Sequence, residues 1–297
     1  PSGVPLTLSA WVIASHCFDT FDAFPYAGFG SPTKRCGKTR ATEVLELLAA
    51  NARRAVNLSE AALFRLIESE APTLILDEAE SLSGKTDRAE ALRSLLNAGN
   101  RKGTKVYRCD KNTLALKAFE VYCPKIFCCI GNLPDTIADR SILIAMQRKK
   151  PCEEVERFTF RDTSKEGETL RKRIEAFVES FRTAIEEVYR PLRLPFLSDR
   201  DEENWLPLFA ILAVLDRSRT EELRLVAERL TQQKAARDED EGLALRLLSD
   251  LRDVWPESQN AAFSANLLES LKAIEDSPWA SEVELNPRKL ARFLRPF

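Results

Sequence analysis

Residues 31–39, SPTKRCGKT, and residues 72–80, PTLILDEAE, decide how this chain folds. The first stretch follows a short apolar segment at 26–29. It precedes TRATEVLELLAANAR at 39–53, whose apolar residues recur at the spacing of one helix face. The second stretch is a continuous apolar run that ends in two acids, which is typical of a strand buried on both faces. Together they predict a strand, a tight loop and a helix, followed by a second strand of the same sheet.

Two further apolar runs extend this pattern, KIFCCIGN at 125–132 and SILIAM at 141–146. Helical patterns at 60–69 and 88–98 separate the runs along the chain. Buried strands that alternate with helices predict an α/β fold, with a parallel sheet covered on both faces. In such a sheet the ligand lies at the carboxyl ends of the strands.

The loop at 32–39 has the composition of a phosphate-binding loop. A nucleoside triphosphate requires backbone N–H groups around its phosphates, an ammonium group, and a hydroxyl that binds Mg²⁺. Gly37 permits a close approach, Lys38 supplies the ammonium and Thr39 the hydroxyl. The expected ATP-binding residues are Pro32, Thr33, Lys34, Arg35, Cys36, Gly37, Lys38 and Thr39. Because Pro32 replaces the first glycine of the usual G-x-x-x-x-G-K-[ST] pattern, the alternative is a chance GKT in an ordinary loop.

The acids that end the second stretch supply the remaining chemistry of ATP hydrolysis. Asp77, 39 residues after Lys38, is expected to hold Mg²⁺, and Glu78 to orient and deprotonate the attacking water. Asn132 is expected to contact the γ-phosphate or that water, so Lys38, Asp77 and Asn132 are predicted to converge. The alternatives are an acidic helix cap for the two acids and a turn in GNLP for Asn132.

Two arginines fit the same reaction. Arg140 is expected to reach a neighbouring subunit's γ-phosphate as an arginine finger, where it stabilises charge in the transition state. Arg200 is expected to be a second residue that senses phosphate. The alternatives are a surface pairing of Arg140 with Asp135 or Asp139, and a solvated helix end for Arg200.

Composition limits the class of protein. Hydrophobic residues at 44% and charged residues at 30% are typical of a globular chain, and no apolar run approaches the roughly 20 residues that cross a bilayer. Seven cysteines without a CxxC pair and a single histidine favour neither a zinc site nor a disulfide framework. We therefore expect a reducing, cytoplasmic setting and no membrane partner. The chain starts without an initiator Met or a secretory leader, so we expect a piece of a longer protein.

Basic residues cluster in two places, although the net charge of the whole chain is only -2. Residues 100–112, NRKGTKVYRCDKN, predict a two-stranded excursion with a basic tip, and residues 286–294, NPRKLARFL, a short basic helix. The expected DNA contacts are Arg101, Lys102, Lys105, Arg108, Arg288, Lys289 and Arg292. The alternatives are a solvated charged hairpin and basic residues that favour the end of a helix dipole.

Beyond residue 150 the sequence becomes a series of charged amphipathic helices. Helices are predicted at 168–189, 201–217 and 221–237, as an all-helical lid, and KAARDEDE at 234–241 is interpreted as a linker. Three short helices after it suggest a winged-helix module whose wing strands lie beyond Phe297. The predicted domains are 1–150 (ATPase core), 151–237 (lid) and 238–297 (winged-helix-like module).

The order of these motifs resembles a known family. SPTKRCGKT, ALFRLIE, PTLILDEAE, LRSLLNAGNRKG, IGNLPDTIADRSILIAMQRK, SPWA and LARFLRPF resemble an uncharacterised P-loop ATPase family of the AAA+ type. Its members occur in replication proteins of phages, plasmids and genomic islands, often downstream of a primase-like region. In that family a proline also occupies the position of Pro32.

The resemblance implies an ATP- and Mg²⁺-dependent AAA+ core that works as a homo-oligomeric ring, with a C-terminal winged helix. The function expected first is a DNA helicase, translocase or replication initiator, with single-stranded DNA in the ring pore and duplex DNA on the winged helix. The second is a nucleotide-dependent switch that assembles on a protein partner, for instance in anti-phage defence. A third is a winged-helix regulator whose P-loop is degenerate.

Overall fold

The computed structural model describes residues 3–55, 60–76, 86–109, 115–130, 133–150, 152–156, 158–256, 261–274, 277–280 and 283–295. The chain divides into two compact units, residues 1–231 and 232–297. The finer division of the first unit into an ATPase core and a lid stays a prediction. None of the described helices is both long and apolar enough to cross a bilayer.

A five-stranded parallel sheet forms the centre of the first unit. The strands in chain order are β1 (Tyr26–Ser31), β2 (Ala52–Arg54), β3 (Thr73–Leu76), β4 (Lys105–Cys109), β5 (Leu116–Glu120), β6 (Lys125–Ile130) and β7 (Ser141–Ala145). The parallel sheet has the order β2-β3-β6-β1-β7, and β4 and β5 form a separate antiparallel pair. The predicted α/β fold with a parallel sheet is therefore confirmed.

Helices account for most of the remaining described residues. In the first unit they are α1 (Val4–Ser15), α2 (Lys38–Leu48), α3 (Glu60–Glu70), α4 (Asp87–Ala98), α5 (Asp135–Ala138), α6 (Phe160–Tyr189) and α7 (Asp199–Leu215). α8 (Thr220–Val254) begins in this unit and continues into the second, which also contains α9 (Ser264–Lys272) and α10 (Pro287–Leu294). Local capping fixes some helix starts: the Thr86 hydroxyl accepts a hydrogen bond from Ala89 N at 3.2 Å at the start of α4.

Side chains of the central strands alternate between two hydrophobic clusters, one on each face of the sheet. Along β6, Ile126 and Cys128 join the cluster that contains residues of α1, α2, α6 and α7. Phe127 and Cys129 join the cluster that contains residues of α3, α4 and α5. Because sequence neighbours point to opposite faces and both faces are buried, such a strand is a continuous apolar run.

The linker predicted at 234–241 is wrong, because this segment lies inside α8. Lys, Ala, Arg and Glu are good helix formers, and the segment contains no proline. Dense charge therefore leaves the backbone hydrogen bonds of the helix intact, and Glu239 and Asp240 are exposed to solvent. The boundary between the two compact units, after residue 231, falls within this one helix.

The single histidine predicts how stability depends on pH. His16 Nε2 lies 2.8 Å from the Leu48 carbonyl oxygen, and burial lowers the pKa of His16 although this hydrogen bond opposes the shift. The folded pKa lies below the unfolded one, so the unfolded state binds more protons as the pH falls through about 6.5. We expect the free energy of unfolding in urea to fall between pH 7.5 and 5.5, and to fall less in His16→Gln. Equal losses in both proteins would contradict this assignment.

Candidate functional site

The loop between β1 and α2 joins the carboxyl end of a central strand to a helix N-terminus. Gly37 has a φ of 87° and directly precedes Lys38, the first residue of α2. This left-handed conformation is accessible to glycine without steric cost. No side-chain hydrogen bond caps this end of α2, so its first N–H groups are available to an anion.

The Lys38 side chain folds back over the loop. Its ammonium group donates to the Ser31 hydroxyl, which in turn donates to the Thr33 carbonyl oxygen at 2.7 Å. The ammonium is therefore held against the start of the loop, next to Pro32. Thr39, in the first turn of α2, is exposed. The predicted ammonium and hydroxyl groups thus lie on one short loop and helix start.

Cys36 and Arg148 stabilise the shape of the loop. The Cys36 thiol is buried and donates to the Thr33 carbonyl oxygen at 3.2 Å. A side-chain hydrogen bond with Thr33 lowers the pKa of Cys36, and the charges of Lys38 and Arg148 act in the same direction. Arg148 Nη2 donates to the Lys34 carbonyl oxygen at 3.2 Å. Sequence reasoning missed Arg148, whose only signal was the basic run RKK directly after the last predicted strand.

β3, which precedes Asp77 and Glu78, and β6, which precedes Asn132, end at the same edge of the sheet as the loop between β1 and α2. β1, β3 and β6 are parallel, with Ser31 level with Ile130, and Leu76 level with Phe127. Asp77, Glu78 and Asn132 themselves lie outside the described residues. Their predicted roles therefore stay predictions, while the strand ends that lead to them share one edge.

Arg140 and Arg200 lie together at the opposite edge of the sheet. Arg140 precedes β7, and its carbonyl oxygen accepts a hydrogen bond from Tyr26 N, at the start of β1, at 3.0 Å. Arg200 pairs with Asp139 at 2.7 Å. β1 covers about 17 Å between these two edges. Arg200, predicted as a second residue that senses phosphate, is therefore separated from the Lys38 of its own chain by the length of a strand.

A polar cavity of about 170 Å³ is lined by Arg101, Arg140 and Arg200. The Arg101 guanidinium pairs with Glu203, and Arg140 donates to the Thr136 carbonyl oxygen. Its remaining lining residues are Asn97, Ala98, Asn100, Thr104 and Asn204. The buried Asn97 Oδ1 has no hydrogen-bond partner in the described part of the chain. The sequence assigned Arg101 to a DNA-binding loop, so this grouping of three arginines was not predicted.

The two-stranded excursion is present, but Arg101 and Lys102 lie at its base instead of its tip. They precede β4, and Lys102 Nζ donates to the Asp19 carbonyl oxygen at 2.6 Å. Lys105 pairs with Glu120 at 3.3 Å, and the Arg108 guanidinium lies 5.3 Å from the centre of the Phe64 ring. Residues 110–114, which join the strands, lie outside the described residues. These four basic side chains therefore already have partners within the chain.

The basic C-terminal helix forms part of the hydrophobic core of the second unit. Asn286 Oδ1 accepts hydrogen bonds from the backbone N–H groups of Arg288 and Lys289, both at 3.0 Å, at the start of α10. Leu290 and Phe293 face the core, and Arg292 pairs with Asp240 at 3.2 Å. Lys289 Nζ donates to the Val283 carbonyl oxygen. The described residues of this unit form helices, turns and loops, so the winged-helix interpretation stays a prediction.

Comparison with solved structures finds JCV helicase. Its complex with an acetamide compound is 15% identical, with a TM-score of 0.29, over 78% of this chain and 62% of that chain. An inhibitor-bound JCV helicase structure is 15% identical, with a TM-score of 0.31, over 78% of this chain and 59% of that chain. A third JCV helicase structure is 14% identical, with a TM-score of 0.30, over 78% of this chain and 59% of that chain. The chain thus spans about three fifths of the solved chains it matches. Structural similarity with such low identity and TM-score does not decide an activity. A separate comparison with curated proteins finds no match to the chain.

A protein-family match concerns the C-terminal half. Residues 145–297 match the family described as Protein of unknown function (DUF3631). The matched region starts at the last residue of β7 and includes α6 to α10. It covers slightly more than half of the 297 residues. On this match, the chain belongs to the DUF3631 family.

Proposed function

We propose that this chain is an ATP-hydrolysing motor of the AAA+ type. The observation that carries the proposal is the loop between β1 and α2. It combines a helix N-terminus without a side-chain cap, a glycine at positive φ, and a lysine ammonium folded over the loop. This combination favours binding of the β- and γ-phosphates of a nucleotide, because N–H groups, helix dipole and ammonium all attract the same anion.

The residues available around the loop fit Mg-ATP. Backbone groups of Pro32, Thr33, Lys34, Arg35 and Cys36 surround the phosphates, and the ammonium of Lys38 neutralises their charge. Thr39 and Asp77 would hold Mg²⁺, which would offset charge on the phosphate oxygens. Glu78 orients the attacking water and takes its proton, and Asn132 contacts the γ-phosphate or that water. In support, β3 ends at Leu76, directly before these acids, on the edge of the sheet where the loop lies.

The polar cavity lined by Arg101, Arg140 and Arg200 supports a role of Arg140 in ATP hydrolysis by a neighbouring subunit of a ring. Arg140 and Arg200 lie at the edge of the sheet opposite to Lys38, so within one chain they are remote from the proposed nucleotide. A neighbouring subunit that presents its nucleotide to this edge would place its γ-phosphate near Arg140. Positive charge at that point stabilises the transition state of phosphoryl transfer.

The motor acts on DNA in this proposal, as a helicase, translocase or replication initiator of a mobile genetic element. The hairpin of β4 and β5 and the basic helix α10 are the proposed contacts. Arg101, Lys102, Lys105 and Arg108 supply positive charge to the hairpin, and Arg288, Lys289 and Arg292 supply it to α10.

One observation favours a second function, a nucleotide-dependent switch that assembles on a protein. The basic side chains of the hairpin region have partners within the chain: Arg101 pairs with Glu203, Lys102 with the Asp19 carbonyl oxygen, and Arg108 with the Phe64 ring. In a switch these contacts would be structural, and DNA would have no effect on ATP turnover.

Hydrolysis of ATP with and without single-stranded DNA separates the two functions. For a DNA motor we expect DNA to raise the rate several-fold, and the triple variant Arg101→Ala, Lys102→Ala, Lys105→Ala to lose this stimulation, because phosphate contacts are removed. The matched control replaces three exposed basic residues of α6 by alanine, Lys165, Lys172 and Arg173. This control should retain the stimulation of ATP hydrolysis by DNA. A wild-type rate that DNA does not change would contradict the motor and support the switch.

A further inference from the structure

The first two turns of α7 carry three polar side chains on one face. Arg200, Glu203 and Asn204 have the spacing i, i+3 and i+4, which places residues side by side on a helix. All three line the polar cavity of about 170 Å³. The Ser198 side chain accepts a hydrogen bond from Asp201 N and caps the start of this helix. α7 therefore presents a fixed polar face to the edge of the sheet where β7 begins.

Two of these side chains hold Asp139, the residue directly before Arg140. Arg200 Nη1 donates to Asp139 Oδ2 at 2.7 Å, and Asn204 Nδ2 donates to the Asp139 carbonyl oxygen at 2.9 Å. The second bond comes from a buried side chain, since Asn204 is only 4% exposed. The Asp139 carbonyl belongs to the planar peptide group that also contains the Arg140 nitrogen. The Asn204 contact therefore fixes the orientation of the backbone from which the Arg140 side chain leaves.

Arg140 differs from the other two arginines of the cavity in its partners. Its guanidinium donates to the Thr136 carbonyl oxygen, and no carboxylate pairs with it in the described part of the chain. Arg101 and Arg200 each pair with a carboxylate. On its C-terminal side Arg140 is held by the sheet, because its carbonyl oxygen accepts from Tyr26 N at 3.0 Å. Arg140 is therefore the arginine of these three whose charge is not offset by a carboxylate.

We propose that Asn204 and Arg200 of α7 are positioning residues that hold Arg140 in place through Asp139. The inference rests on the proposed function, in which Arg140 stabilises transition-state charge at a neighbouring subunit's nucleotide. It also changes the role of Arg200, which acts on Asp139 instead of on phosphate. Placement matters because such stabilisation depends on groups that are already oriented before the reaction. A displacement of about 1 Å costs on the order of 100-fold in rate.

Release of radiolabelled phosphate from ATP by the full chain, with kcat and KM determined separately, tests the assignment. We expect Arg140→Ala to lower kcat by about 100-fold or more, because it removes a charge from the transition state. Asn204→Ala should lower kcat by about tenfold, because Arg140 remains but is less well placed. KM should stay within about twofold of wild type in both variants, since neither residue contacts the nucleotide of its own chain.

The double variant Arg140→Ala, Asn204→Ala separates positioning from a merely structural role. Once Arg140 is absent there is no guanidinium to place, so the double variant should have the kcat of Arg140→Ala within about twofold. Independent roles would multiply the two effects and lower kcat about tenfold further. That result, or wild-type kcat in Asn204→Ala alone, would overturn the positioning role.

Arg200 repeats the test at a side chain that is 52% exposed, so that its loss leaves the fold intact. Arg200→Ala should lower kcat several-fold at constant KM, and Arg200→Lys, which keeps a cation for Asp139, should restore kcat to within about threefold of wild type. Arg219→Ala is the matched control, because Arg219 is 47% exposed and pairs with Glu222 at 2.9 Å. A raised KM with constant kcat in Arg200→Ala would show that Arg200 contacts the nucleotide, and would overturn its assignment.

Two further results separate this inference from the proposed function. Ser15→Ala removes a buried hydroxyl that accepts from Ala50 N at 3.1 Å, so it should lower stability in urea, as Asn204→Ala does, but leave kcat unchanged. Wild-type kcat in Arg140→Ala, with hydrolysis still lost in Lys38→Ala, would overturn the positioning role and the role of Arg140 but not the ATPase. A wild-type chain that does not hydrolyse ATP would contradict both the inference and the proposed function.

Discussion

Replacing Lys38 by alanine should abolish both ATP binding and ATP hydrolysis. Lys38 provides the only ammonium group in the described contacts of the loop, where it donates to the Ser31 hydroxyl. In the proposed function, its removal takes away a charge that interacts with the β- and γ-phosphates in the ground state and in the transition state. We expect the hydrolysis rate to fall by at least about 100-fold and binding of a fluorescent ATP analogue to be lost.

Glu78→Gln separates binding from chemistry in the same experiment. The amide has nearly the shape of the carboxylate but does not accept the proton of the attacking water, so binding should persist while turnover falls to background. Lys172→Ala is the matched control, because Lys172 is an exposed lysine of α6 that pairs with Glu168 at 2.8 Å. ATP binding that survives Lys38→Ala unchanged would show that this loop does not hold the nucleotide, and would favour a regulator with a degenerate loop.

Lys125→Met should destabilise the first unit by about 3 kcal/mol or more. The Lys125 side chain is fully buried, and its ammonium donates to the carbonyl oxygens of Gly99, Val121 and Cys123 at 2.9, 3.0 and 2.9 Å. Methionine fills a similar volume but donates nothing, so three buried acceptors would lose a charged donor. These carbonyls include the C-cap of α4, so the end of that helix would be affected first.

Urea unfolding at pH 7.5 measures this effect. Lys172→Met makes the same chemical change on an exposed face of α6 and should alter the free energy of unfolding by less than about 0.5 kcal/mol. A loss below about 1 kcal/mol in Lys125→Met would contradict the assigned role. It would mean that water or rearranged backbone groups satisfy the three carbonyls.

Local features of the sequence predicted the core of the first unit well. Lys125–Ile130 and Ser141–Ala145 are strands because continuous apolar runs require burial on both faces, and the stretch after Gly37 is a helix because its apolar residues repeat on one face. The continuous helix at 234–241 was missed for a local reason as well. A dense run of charge is typical of a linker, but its residues have good helix propensity and an exposed helix face tolerates charge.

Contacts between distant segments were beyond the reach of these patterns. Arg101, Arg140 and Arg200 were assigned to three different roles, yet they line one cavity. The sequence pattern includes Lys125 only as the first residue of an apolar run, yet its side chain donates to three carbonyl oxygens. Both results depend on which segments lie side by side, and periodicity within one segment carries no information about that.

The sequence by itself determined the order of strand, loop and helix around Gly37 and Lys38, because covalent neighbours and local hydrogen bonds fix a turn into a helix. Only the tertiary structure decided that Arg200 lies at the opposite edge from Lys38, that Arg108 faces Phe64, and that Tyr107 faces solvent. The physical reason is that a side chain's surroundings are set by strand register and helix packing. Those arise from burial shared among residues that are far apart in the chain.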